Sequence, residues 1–383
     1  MQKIILAIDS FKGCLTSFEV AEACKSGILR VFPTCNVVII PISDGGEGTL
    51  ETLISATGGT IVSTIVHNPV MEKITASYGI LGNRTSAVIE MAKASGLTLI
   101  PNHRRNPLLT TTYGTGELIK DAIMKGCREI LVGIGGSATN DAGIGMLQAL
   151  GYRFYDKDHN LLGTGGQILE QVAFIDDSSK LPELDQTKFI IACDVNNPFA
   201  GENGAAYVYA PQKGATPEMV QQLDKGLKNI ANLIFEKYQI DVQNIPGAGA
   251  AGGLGGAFVA FLNATLQSGI QVVLDKFEFE CQIKNADLII TGEGKMDAQT
   301  LMGKAPQGIL KAAQKEKIPV IAITGGFEQA YTLNSGGIDA VFSITPYPVS
   351  LDKAMDKEFA TSNIEQTTVQ IMNIFHIKNK VKL

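Results

Sequence analysis

The chain opens on an apolar run, "KIILAI" (3–8), that stops abruptly at Asp9 and Ser10. Unbroken apolar character over so short a span predicts a strand buried on both faces. Thr16 with Glu19 three positions on makes a capping-box pattern. The apolar positions Phe18, Val20, Cys24, Ile28 and Val31 then keep a helix going as far as Pro33. "NVVIIPI" (36–42) reads as the next strand and again runs into an acid and glycines, Asp44-Gly45-Gly46-Glu47-Gly48, before a helix that stops at Thr57-Gly58-Gly59. A β-α-β-α opening of this kind predicts a parallel sheet covered by helices.

The end of the chain repeats the pattern. "ADLIIT" (286–291) meets Gly292-Glu293-Gly294-Lys295, a helix is expected around 304–316, "PVIAIT" (319–324) meets Gly325-Gly326, and "AVFSI" (340–344) runs into Thr345-Pro346. Between these ends the polarity alternates instead. "TIVSTIVHN" (60–68), "TASYGILG" (75–82) and "YRFYDKDHNLLG" (152–163) read as antiparallel strands with turns between them. The fold class expected is therefore α/β. Both chain ends (1–60 and 285–383) build a parallel-sheet, Rossmann-like domain, and a mixed α/β domain (61–284) is inserted between them. Residues 110–150 fit either domain, since "GELIKDAIMKGCREILVGIGG" (116–136) is itself a helix–strand unit.

Bulk properties narrow the function. At 383 residues the chain is long enough for two cores, and 45% hydrophobic with 18% charged residues is ordinary globular composition. A net charge of −6 argues against nucleic acid or an anionic membrane as partner. Six scattered cysteines without a C-x-x-C pair, and only four histidines, speak against a zinc site or a disulfide framework. The apolar start is too short for a signal peptide, and no run approaches a membrane span, so a cytoplasmic location is expected.

The strand ends hold the chemistry. In open parallel sheets ligands bind beyond the carboxyl ends of the strands. Here those ends carry acids or Asn with glycines: Asp9 with Lys12-Gly13, Asp44 with Gly45-Gly46, Gly135-Gly136 with Asn140-Asp141, Asp194 in "IIACDVNNP", and Glu293 with Lys295 and Asp297. Glycines let backbone N–H groups approach phosphate oxygens, while carboxylates beside an anion call for a cation or a proton to accept. Together they point to Mg2+ and phosphoryl transfer. Turn formation and helix capping account for any one of these loops taken singly.

Two other phosphate-binding patterns fare worse. A Walker A loop occurs nowhere. G-x-G-x-x-G occurs as Gly247-Ala248-Gly249-Ala250-Ala251-Gly252, but the polar "QIDVQNIP" before it supplies no buried strand. "VGIGGSATNDAG" (132–143) has the strand and begins like a dinucleotide turn. It lacks an acid at a following strand end, and it continues into polar side chains where that motif packs its helix.

Several stretches together resemble one family, the type 1 glycerate kinases. They are "DSFKG" (9–13), "PISDGGEGT" (41–49), "GIGGSATNDAGIGMLQALG" (133–151), "CDVNNPFAGENGAAYVYAPQKGA" (193–215), "PGAGAAGGLG" (246–255) and "TGEGKMDAQTLMGKAP" (291–306). Cys14 and Thr16-Ser17 depart from the small or Ser residues usual after the first. The resemblance implies two α/β domains with the site in the cleft between them. It also implies Mg2+-dependent transfer of the γ-phosphoryl group of ATP to D-glycerate, giving 2-phosphoglycerate, in glyoxylate or sugar-acid breakdown. The partners expected are glycerate and ATP, with no nucleic acid or membrane; a homodimer is compatible with the sequence.

Roles follow from residue chemistry within that frame. The attacking hydroxyl must lose a proton, and Asp194, directly after an apolar run, is the expected base, with Asn196 and Asn197 orienting the substrate. Asp44 and Asp297 are the expected metal ligands. Lys12 and Lys295 are assigned to the transferred phosphoryl group, and Lys213, Asp9 and Ser10 to the substrate. Gly135, Gly136, Ser137, Thr139, Asn140, Asp141, Gly249, Gly252 and Glu293 are assigned to the nucleotide. For each Lys a solvated surface position is the alternative, and for 247–255 close packing against another helix. The rival readings are a dehydrogenase and a non-catalytic binding protein on the same fold.

Overall fold

The computed structural model describes residues 1–42, 49–297, 300 and 305–381. Among these residues, eleven strands make two main sheets: β1 (Lys3–Ile8), β2 (Asn36–Ile39), β3 (Thr60–His67), β4 (Lys73–Ile80), β5 (Ser86–Glu90), β6 (Glu129–Gly133), β7 (Lys188–Ala192), β8 (Thr265–Gln267), β9 (Leu288–Gly292), β10 (Val320–Thr324) and β11 (Ala340–Ser343). The chain forms two compact units, residues 1–52 with 270–383, and residues 53–269. The sequence pattern put these changes at 60/61 and 284/285. The observed ones fall inside the helices Thr49–Thr57 and Gly269–Lys276, about eight and fifteen residues earlier in the chain.

The first unit is a five-stranded sheet in the order β11-β10-β9-β1-β2, parallel throughout. Its strands are apolar without alternation because both faces are covered. Ile4, Leu6 and Ile8 of β1 join a core with Val20, Cys24 and Ile28 of the helix Ser17–Val31 and Ile364 and Ile371 of the helix Lys357–Val381. Ile5 and Ala7 join the opposite core, with Val273, Ile309 and Leu333. The capping box is formed: Thr16 Oγ1 accepts the Glu19 N–H at 3.2 Å, and the Glu19 carboxylate accepts the Thr16 N–H at 2.8 Å.

The second unit holds a six-stranded sheet, β8-β7-β6-β5-β4-β3. Its first four strands are parallel, and the β3–β4 hairpin continues the sheet in antiparallel fashion beside β5. Residues 110–150 lie in this unit, supplying the helix Tyr113–Met124, β6 and the helix Ile144–Ala149. Farther on, the alternating stretch 152–163 supplies Arg153–Tyr155, which pairs antiparallel with Phe174–Asp176, and an antiparallel bridge between Tyr155 and Leu161. One large core, including Ile89, Ile130, Val132, Phe189, Leu227 and Phe258, holds the unit together.

Candidate functional site

Register fixes what stands side by side at the carboxyl edge of the second sheet. Glu90 pairs with Gly133, and Gly133 with Ala192, so the residues that leave β5, β6 and β7 there are Glu90, Gly133–Gly136 and Cys193–Asp194. Asp194 is exposed, and its Oδ1 accepts the Gly269 N–H at 2.9 Å, which anchors the carboxylate at the end of β8. Glu90 is 8% exposed, with Lys93 Nζ 3.6 Å from its Oε2.

The loop after β6 divides its residues by direction. Gly135 and Gly136 are exposed, whereas Ser137, Thr139, Asn140 and Asp141 are buried. The loop is tied to the segment after β5: Leu97 N–H donates to the Gly136 carbonyl at 2.8 Å and Ala138 N–H to the Ser95 carbonyl at 3.0 Å. Asp141 works from inside the protein. Its carboxylate accepts the Thr112 N–H at 2.7 Å, both Thr111 and Thr112 hydroxyls, and the N–H groups of Gly143 and Gly145 at 3.2 Å, at the start of the helix Ile144–Ala149. Burial raises its pKa, although these hydrogen bonds favour the ionised form and oppose the rise.

Lys213 enters the same place from below. It is 2% exposed, and its Nζ donates to the Thr139 carbonyl at 2.6 Å and to Ser137 Oγ at 3.2 Å. Burial pushes this ammonium down to about 7, with the Asp141 charge pulling the other way. Asn140 is fully buried, and neither its Oδ1 nor its Nδ2 has a hydrogen-bond partner among the described residues. Such orphaned groups are rare in native interiors.

The glycine-rich stretch 247–253 packs against this loop. Ala251, Gly252 and Gly253 all adopt left-handed backbone, with Gly252 at φ 74°. A Cβ on Gly252 would overlap the Thr139 carbonyl oxygen and lie 2.5 Å from Asn140 Cα, and one on Gly249 would overlap the Pro198 carbonyl. Both glycines are buried against protein backbone, a close approach that a side chain would block. The polar segment before Gly247 contains a 3-10 turn, Val242–Asn244, and no strand feeds the motif. Of the two asparagines after Asp194, Asn196 is exposed, while Asn197 is committed: its Nδ2 donates to the Asn203 carbonyl at 2.9 Å and its Oδ1 accepts the Tyr209 hydroxyl at 2.5 Å.

The other expected residues lie in the first unit. Asp9 and Ser10 follow β1, with Ser10 N–H donating to Asp9 Oδ1 at 2.6 Å, and Lys12 is exposed just beyond. After β9, Thr300 joins two acids: its hydroxyl donates to Glu293 Oε1 at 2.6 Å and accepts the Asp297 N–H at 3.0 Å. Lys295 is exposed and pairs with Glu328 at 2.7 Å, and the hydrogen bond to that carboxylate raises its pKa. Asp44 lies outside the described residues. Glu90 was not legible as a candidate, although "SAVIE" is an apolar run ending in an acid, because no glycine follows it.

Among the described residues no group of three or more His, Cys, Asp or Glu could cage a metal, and no helix is long and apolar enough to cross a membrane. The glycerate kinase family model matches residues 4–376. A glycerate kinase of Halalkalibacterium halodurans is 48% identical, over 93% of this chain and 94% of its own. The glycerate 2-kinase of Escherichia coli is 46% identical over 92% and 93%. A crystal structure of a putative glycerate kinase 2 from Salmonella typhimurium LT2 superposes with a TM-score of 0.90 at 43% identity, covering 99% of this chain and all of that one.

Proposed function

The chain belongs to the glycerate kinase family, and from that premise we propose that it transfers the γ-phosphoryl group of ATP to the 2-hydroxyl of D-glycerate, releasing ADP and 2-phosphoglycerate. The observation that carries this reading is the carboxyl edge of the second sheet, where Asp194 and the exposed Gly135-Gly136 backbone leave adjacent strands.

Asp194 accepts the proton of the glycerate hydroxyl as its oxygen attacks the γ-phosphorus, the new O–P bond forming while the bond to the ADP oxygen breaks. The Gly269 N–H holds one carboxylate oxygen, so the base is oriented before the substrate arrives. Gly135 and Gly136 offer backbone close to a phosphate, since no Cβ blocks the approach. Ser137, Thr139 and Asp141 then serve by fixing the shape of that loop from within, with Lys213 beneath them. In the first unit, Lys12 and Lys295 are the cations proposed for the transferred phosphoryl group, and Asp9 and Ser10 for the substrate.

Magnesium suits the donors present. It is held by one or two carboxylates together with substrate phosphates, not by a protein cage. Glu293, whose carboxylate accepts the Thr300 hydroxyl, and Asp297, whose backbone N–H donates to that hydroxyl, are the carboxylates proposed for it, and Asp44 is the further candidate. When bound, the ion neutralises charge on the phosphate oxygens. The same reading places the enzyme in the cytoplasm, with free access to ATP.

ADP release with D-glycerate and ATP, measured with and without Mg2+ across a panel of small hydroxy acids, tests the reading. Turnover confined to glycerate and dependent on Mg2+ supports it. Absence of turnover with every acid, together with tight binding of a nicotinamide dinucleotide, overturns it.

A further inference from the structure

A second basic residue borders the Gly135–Asn140 loop, and nothing in the sequence pattern singles it out. Arg105 follows the 3-10 turn Asn102–Arg104 in the second unit. Its Nη2 reaches the Leu97 carbonyl at a long 3.4 Å, and the Leu97 N–H is the donor that ties down Gly136. The guanidinium is therefore one hydrogen-bonded residue away from the exposed glycines. On its other side the backbone of Arg105 lies against Gly214: a Cβ there would sit 2.5 Å from the Arg105 carbonyl oxygen and 3.0 Å from its Cβ. This contact sets the Arg105 backbone against the residue that follows Lys213, whose ammonium holds Ser137 and Thr139.

Three features mark the place as electrostatically incomplete. Arg105 Nε is sealed from solvent and has no acceptor among the described residues. Neither Arg105 nor Lys213 has a carboxylate within ion-pair distance among those residues. The fully buried Asn140 amide, in the same loop, is unpartnered at both its oxygen and its nitrogen. Burying donors without acceptors is costly, and such groups persist where function uses them. A planar guanidinium with donors in a fixed fork matches the two oxygens of a carboxylate or phosphate.

We propose that Arg105 binds an anionic oxygen group of a reactant, a carboxylate or a phosphate, against the Gly135–Asn140 loop, and that Lys213 holds that loop in place without touching the reactant. The proposal rests on the kinase reading for the identity of the reactants, D-glycerate supplying the carboxylate and ATP the phosphate.

The test uses the full chain with Arg105→Gln and Arg105→Lys. For each protein one measures Tm, kcat, KM for D-glycerate and for ATP separately, and the rise in Tm caused by either reactant alone. Loss of a charge-assisted hydrogen bond is expected to raise one KM roughly 10- to 100-fold in the Gln variant. The thermal shift from that same reactant is lost, the other KM stays near that of the unsubstituted chain, and the Lys variant recovers part of the loss. A selective effect on glycerate identifies the carboxylate as the anion, and one on ATP identifies the phosphate. Both KM values within about twofold of the starting protein, or a fall in Tm and kcat with KM values unchanged, overturn the assignment. Should the Gln variant fail to fold, the Lys variant gives the same decision, because it keeps the charge and loses the fork. An unsubstituted chain that turns over no glycerate, yet loses a reactant's thermal shift on Arg105→Gln, fails the kinase reading and keeps the anion site.

Discussion

Lys213 is the residue whose environment departs most from its sequence context. "PQKGA" looks like a surface turn, yet its ammonium is buried among Ser137, Thr139 and the Asp141 charge. Its folded pKa, about 7, lies below the ordinary 10.5, so between those values the unfolded chain holds one more proton than the folded one. The contribution of this one group to stability then rises with pH across that window, and below it the cost of burying the charged ammonium is present in full. Lys213→Met removes it. The Tm of the unsubstituted chain minus that of this variant is expected to rise from pH 7 towards pH 10, and a constant difference contradicts burial of the ammonium. Asp194→Asn, at an exposed position, should leave Tm nearly unchanged while lowering kcat by roughly 10²- to 10⁴-fold, the usual range for a general base. Full kcat in that variant removes Asp194 from the role. Residue identities at the strand ends were legible, but side-chain direction in an irregular loop was not. Ser137, Thr139 and Asp141 were assigned to the nucleotide on their polarity, which says nothing of which way a left-handed turn at Gly136 or Gly143 points them.

Among elements, the strands were the most legible. Runs such as "KIILAI" and "PVIAIT" are buried on both faces, so composition alone specifies them. "NVVIIPI" shows the limit: pairing stops at Ile39, while Ile40 and Ile42 stay buried without extending the strand. The glycines of 247–253 were legible as a motif but not in purpose, since a close approach to ligand and a close approach to backbone leave the same signature in sequence. Gly252→Ala decides between them. Strain at positive φ and overlap with the Thr139 carbonyl should cost about 1–3 kcal/mol, lowering the Tm by several degrees. A variant with unchanged Tm and a raised KM for ATP assigns the glycine to the nucleotide. The helix Ser17–Val31 offers a simpler check: Thr16→Ala loses the capping box and should cost about 1 kcal/mol, read as a lower urea midpoint at unchanged slope.

At the scale of the whole molecule, the discontinuous unit was legible because the strand–acid–glycine pattern recurs at both chain ends and is interrupted by alternating polarity. Residues 110–150 were ambiguous since a helix–strand unit fits either parallel sheet; pairing of β6 with β5 and β7 places it in the second. The regiochemistry of transfer was beyond reach, because it depends on how one small acid is held and not on which residues are present. Enolase dehydrates 2-phosphoglycerate directly to phosphoenolpyruvate and does not act on the 3-phosphate isomer. The purified chain, supplied with D-glycerate, ATP, Mg2+ and enolase but no mutase, should therefore generate phosphoenolpyruvate in step with ADP. ADP release without phosphoenolpyruvate would contradict transfer to the 2-hydroxyl, and absence of both would contradict the account as a whole.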